Sequence, residues 1–132
     1  MLQMPCRERN LNEEVFHMFT ERDMQHIIRD NPGFFFGPDV SLYQREFWVG
    51  TDSRIDFVFI DHKKKEHILV EVQIGRLDSL HSEKLWNRYV PNYRTMRPDV
   101  KIRPVLIANS VGNELLRTNT GRGVEVICYS TE

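Results

Sequence analysis

The chain has little cysteine: Cys6 and Cys128 are the only two in 132 residues, with no CxxC and no paired histidines. A zinc site finds no support in that spacing, and a core of this size needs no disulfide, so the two are expected as bystander thiols. No apolar run approaches the ~20 residues of a membrane span, and no signal-peptide-like apolar stretch stands at the N-terminus. The expectation is an intracellular protein, in the cytoplasm or a host-cell interior, with no membrane partner. Repeats and low-complexity tracts are absent too. The length allows one substantial core and not two. Residues 11–132 then form a single domain, preceded by residues 1–10, which show no periodicity and read as a flexible N-terminus.

What is present is patterned. Leu11 to Asp30 carries apolar residues at helical spacing and ends at Asn31-Pro-Gly33, predicting a first helix. Asp39 to Val49 reads as a strand. Arg54 to Asp61 and His67 to Ile74 are two further strands joined by a charged turn in which Lys63-Lys-Lys65 reads as solvated. Asp78 or Ser79 caps a second helix through Leu80, Leu85, Trp86 and Tyr89, with Pro91 kinking or restarting it. A strand over Ile102–Ala108, a short helix over Gly112–Thr120 and a strand over Val124–Tyr129 complete the order α-β-β-β-α-β-α-β. That order makes an α/β domain with a central mixed sheet flanked by helices. The run Phe34-Phe-Phe36 reads as either a core plug or a partner-contacting loop. His62, His67 and His81 have no evident partner set and read as surface or structural groups.

The hairpin carries the chemistry. A turn centred near positions 63 and 64 pairs Asp56 with Glu71 and brings Gln73 to the same end. In that register Ile55, Phe57 and Phe59 face Val72, Val70 and Ile68 on one apolar side. Opposed residues lie ~5 Å apart, where like charges repel, so something positive belongs between the two acids. A hard divalent cation such as magnesium suits carboxylate oxygens. The net charge of −1 is also unevenly spread. From Ile74 to Pro104 seven bases oppose three acids, a balance of +4 that leaves −5 for the rest. A basic segment directly after a carboxylate pair suits a phosphate-backbone partner. Glu21 falls on the apolar stripe of the first helix, where a carboxylate needs a partner.

Asp56 followed by Glu71-Val-Gln73 resembles the PD-(D/E)xK nuclease signature. Together with Glu21 to Pro32, Arg54-Ile-Asp56, Val70 to Arg76 and the helix bearing Tyr89, the chain is similar to the catalytic domain of archaeal NucS-type endonucleases over roughly Glu13 to Tyr129. The resemblance implies a restriction-endonuclease-like core and metal ligation by Asp56 and Glu71, with Glu21 completing the site. It also implies an Mg2+- or Mn2+-dependent endonuclease that cuts nucleic acid, DNA in preference, to 5′-phosphate and 3′-hydroxyl ends. Gln73 departs from it, standing where the family has a charged lysine. Lys84 is the first candidate to replace that charge and Arg54, cross-strand to Gln73, the second. Arg54, Arg76, Lys84 and Arg88 are candidate nucleic-acid contacts, and Gln73 a candidate for positioning the attacking water. NucS-type enzymes carry a further DNA-binding domain that this chain lacks, so grip would come from a homodimer, another subunit or a brief encounter. The alternative is a catalytically inactive nuclease-fold domain that binds nucleic acid or protein. A third possibility is a structural module in which Arg54 neutralises the acids.

Overall fold

A computed structural model describes residues 7–10 and 20–130. Its elements are β1 (Arg7–Asn10), α1 (Glu21–Asp30), α2 (Pro32–Phe36), β2 (Val40–Trp48), β3 (Arg54–Asp61) and β4 (Glu66–Arg76), then α3 (Ser79–Lys84), a π-helical turn (Leu85–Tyr89), α4 (Val90–Met96), β5 (Lys101–Ser110), α5 (Asn113–Gly121) and β6 (Glu125–Ser130). The strands form one mixed sheet in the order β1-β6-β5-β4-β3-β2. β2, β3 and β4 run antiparallel, whereas β4–β5, β5–β6 and β1–β6 are parallel. Helices cover both faces, and the chain is an α/β domain of the expected kind.

The β3–β4 register is the one that sets the site. Phe57 pairs with Val70, Phe59 with Ile68 and Asp61 with Glu66, and Asp61 closes the turn by accepting from the Lys63 and Lys64 N–H groups at 3.0 and 2.9 Å. Phe57, Phe59, Ile68 and Val70 pack with Met24, Ile28, Phe35 and Phe36 of α1 and α2. Leu69, Leu85, Tyr93, Leu106 and Val126 form the second core under α3, α4 and α5. Truncating a fully buried ring such as Phe57 to alanine costs about 3–5 kcal/mol in such a setting.

Several elements depart from the sequence reading. Thr20 is extended at φ −99°, ψ 177°, and its hydroxyl accepts from Asp23 N–H while Asp23 reaches back, so α1 begins at Glu21. Leu11 to Asp30 is thus not one uninterrupted helix, and residues 11–19 lie outside the described residues. Within the segment read as flexible, Arg7–Asn10 pairs in parallel with β6. The aromatic run is helix α2, with Phe35 and Phe36 buried and Phe34 exposed. Ile55 packs in the core with Val58 and Leu69 rather than with Phe57 and Phe59, so strict alternation fails there. Cys128 is disulfide-bonded instead of a bystander thiol. Among the described residues no helix is long and apolar enough to cross a membrane.

Ser79 to Met96 is helical throughout, and the widened π turn precedes Pro91, near the start of α4. Proline has no N–H to give the preceding turn, and a π turn absorbs that loss without a break. Tyr89, the last residue of that turn, lies near the open end of β3 and β4, where it senses the charges of Glu71 and Asp56.

Candidate metal and nuclease site

The ladder between β3 and β4 stops at Phe57–Val70, and beyond it the side chains take over. The Asp56 carboxylate accepts from the Val72 N–H at 2.9 Å, and the Glu71 carboxyl lies against both the Asp56 N–H and the Asp56 carboxyl. Asp56 and Glu71 thus converge at one end of the central sheet. Glu71 is only 7% exposed, and its Oε1 is buried with no hydrogen-bond partner among the described residues. Burial, first, and the neighbouring Asp56 charge, second, hold the Glu71 carboxyl well above the usual carboxylate range. Asp56 is raised as well, by burial above all and further by the Glu21 charge. Two acids this close and this dry cannot both ionise without a cation to offset them.

The other predicted residues fall at unequal distances from this pair. Lys84, at the end of α3, is half-buried, and its charge opposes the upward shift of Glu71. Glu21 is exposed in the first turn of α1 rather than on the buried stripe, though its charge reaches Asp56. Arg54 is exposed, with its guanidinium 5.7 Å from the Trp48 ring centroid and 3.6 Å from Glu46. Its charge, too, is felt at Asp56. Arg76 and Arg88 are exposed.

Gln73 is engaged elsewhere. Its Oε1 accepts from the Asp78 N–H at 3.0 Å and its Nε2 donates to Asp78 Oδ2 at 2.9 Å, a two-point brace between the end of β4 and the cap of α3. Asp78 also accepts from the His81 N–H at 2.8 Å, and these bonds hold its carboxyl down to about 2. An amide held this way is not free to orient water. His67, read as lacking a partner, is paired: its Nδ1 lies 2.6 Å from the Tyr93 hydroxyl.

Tyr89 lies near the pair, a residue that the sequence reading favoured as core over a base-stacking platform and gave no role at the carboxylates. It is buried at 5% exposure, and its phenol is pushed up to about 12 by burial, then by the charges of Glu71 and Asp56. The hydroxyl therefore stays protonated beside the pair and remains a hydrogen-bond donor. The sequence signal for it was its helix's part in the resemblance to NucS-type endonucleases.

The donor set fits a hard divalent ion. It offers two largely buried carboxylates with raised pKa values, one of them with an unmet oxygen. No group of three or more His, Cys, Asp or Glu side chains is gathered for a metal among the described residues, so water and a substrate oxygen would complete the coordination.

A scan against protein-family models finds no match, and a search of curated proteins finds none. Solved structures do match. The chain superposes on EndoMS in a complex with double-stranded DNA at a TM-score of 0.71, with 22% identity over 84% of this chain and 44% of that one. A repair endonuclease from Pyrococcus abyssi matches at 0.70 with 17% identity, over 86% and 47%. EndoMS in its apo form matches at 0.67 with 22% identity, again over 86% and 47%. This is the fold of repair endonucleases. The likeness to NucS-type enzymes read from the sequence therefore holds at the level of the fold, and the chain spans less than half the length of each of these relatives.

Proposed function

We propose that this domain is a divalent-metal-dependent nuclease acting on DNA. One observation carries the reading: the buried Asp56–Glu71 pair, repulsive by itself and with Glu71 Oε1 unsatisfied, on the fold of repair endonucleases. Mg2+ or Mn2+ held by Asp56 and Glu71 would lower the pKa of an attacking water and offset charge on the phosphate. Attack forms a new P–O bond and breaks the bond to the 3′ oxygen, leaving 5′-phosphate and 3′-hydroxyl ends. Lys84 supplies the positive charge that the family lysine would give, because it is the lysine whose charge reaches Glu71. The Tyr89 hydroxyl, kept protonated, would be a donor to the loaded site, and Glu21 acts at longer range. Arg76 and Arg88 engage the backbone. Gln73 acts indirectly, fixing the start of α3 and so the helix that carries Lys84.

Gln73 favours a second reading. With the lysine position given over to a helix brace, the domain would be a silent nuclease fold that binds nucleic acid or protein. Incubation with duplex, single-stranded DNA and RNA in Mn2+, Mg2+ or EDTA separates the two. Metal-dependent cutting of DNA to ligatable ends supports the nuclease; binding without cutting under every condition supports the silent domain.

A further inference from the structure

At the end of β4 the register with β5 slips between Gln73 and Arg76. Gly75 makes the slip with φ of 87°, in the left-handed region that a side chain disfavours. Its N–H donates to Asn109 Oδ1 at 2.7 Å, and Asn109 Nδ2 donates to the Tyr129 carbonyl at 3.3 Å. The bulge is thus braced across three strands. Its consequence is the course of Arg76, which pairs with Ser110 and sends its side chain past β5 to the start of α5. There a Cβ on Gly112 would stand 2.6 Å from a terminal guanidinium nitrogen. The φ of Gly112 is −76°, open to any residue, so the missing side chain serves space and not backbone freedom.

Arg76 is exposed, and no acid pairs with it among the described residues. It is also set against the positive end of α5, whose cap offers no side-chain acceptor. Glu114 in the first turn offsets part of that cost without an ion pair to Arg76, and an anion joining the guanidinium offsets more. Glu71 lies five residues back on the same strand, ~15 Å of extended chain, so the anion is a neighbouring group of the substrate and not the reacting one.

We infer that Gly112 is a positioning residue that seats Arg76 on a backbone phosphate flanking the phosphate held at the Asp56–Glu71 pair. The inference rests on the nucleic-acid reading above. Its test is a double-mutant cycle in DNA binding, followed by fluorescence anisotropy in EDTA over a range of salt, with circular dichroism and melting as controls. Gly112→Ala fits the backbone and meets only the far end of a flexible side chain, so the variant folds. Gly112→Ala and Arg76→Gln should each weaken duplex binding by about 5-fold or more and lower the salt dependence by about one phosphate contact. The double variant should bind no more weakly than Arg76→Gln alone. Additive losses, or a Gly112→Ala variant with wild-type salt dependence, would overturn the seating while leaving the nucleic-acid reading intact. Wild type that binds no DNA at all overturns both.

Discussion

Asp61 and Glu71 lie at opposite ends of one hairpin and are about equally hidden from water, 5% and 7% exposed. At the turn, Asp61 accepts two backbone N–H groups, and those bonds hold its carboxyl below the usual range. At the open end, Glu71 faces another acid, keeps one oxygen without a partner and is raised. Exposed area does not distinguish them, yet Glu71 lies deeper in the protein and that depth is the first cause of its rise. A second difference is whether the fold satisfies the charge: Asp61 is bonded within the chain, whereas Glu71 keeps an oxygen with no partner among the described residues.

The comparison breaks most sharply on substitution. Asp56→Ala or Glu71→Ala should abolish metal-dependent cleavage, because each removes a ligand of the ion that activates water. Asp61→Ala should lower the melting temperature yet leave the rate per folded molecule unchanged. Cleavage assays on folded variants check this, and a rate that depends on Asp61 as much as on Glu71 would erase the distinction.

The second largest effect concerns the charge beside Glu71. Lys84→Ala should slow cleavage by ~10²-fold while changing DNA affinity little. Gln73→Lys should not raise the rate, since it breaks the brace to Asp78 and places an ammonium beside that acid. A faster Gln73→Lys enzyme with an unaffected Lys84→Ala variant would mean that the site simply lost its lysine.

These expectations show how unevenly the molecule was legible. The hairpin register followed from period-two apolar residues and a symmetric turn, since a one-residue slip would bury its charges. The four residues of β1, Arg-Glu-Arg-Asn, carry no apolar signal, and their strand shows in the pairing with β6. The cap at Thr20 was hidden inside a longer apolar pattern, which put Glu21 on a buried stripe instead of in an exposed first turn. Helix α2 was lost because Pro32-Gly33 read as a stop, although proline at a first turn is a start. In the site, Asp56 and Glu71 were visible as residue types at a spacing. The brace on Gln73 and the approach of Tyr89 were not, because both depend on how α3 and the π turn pack over the sheet.

A smaller effect is the pH dependence of stability. Asp56 and Glu71 have folded-state pKa values above their unfolded ones, so the folded state binds protons more tightly. Their favourable contribution is complete below the ordinary carboxylate range and is lost as pH rises through the raised values. In EDTA the melting temperature should therefore fall as pH climbs above that range, and Glu71→Gln should flatten the decline. Mn2+ should reverse it, because the ion binds the ionised pair.

The central claim is that the open end of the hairpin is completed by a divalent ion, and anomalous diffraction from crystals soaked in Mn2+ tests it most directly. The account predicts one manganese between the Asp56 and Glu71 carboxylates, with Glu71 Oε1 as a ligand. A soaked crystal without manganese at that position, in which Lys84 or Arg54 instead closes on the two carboxylates, would contradict it.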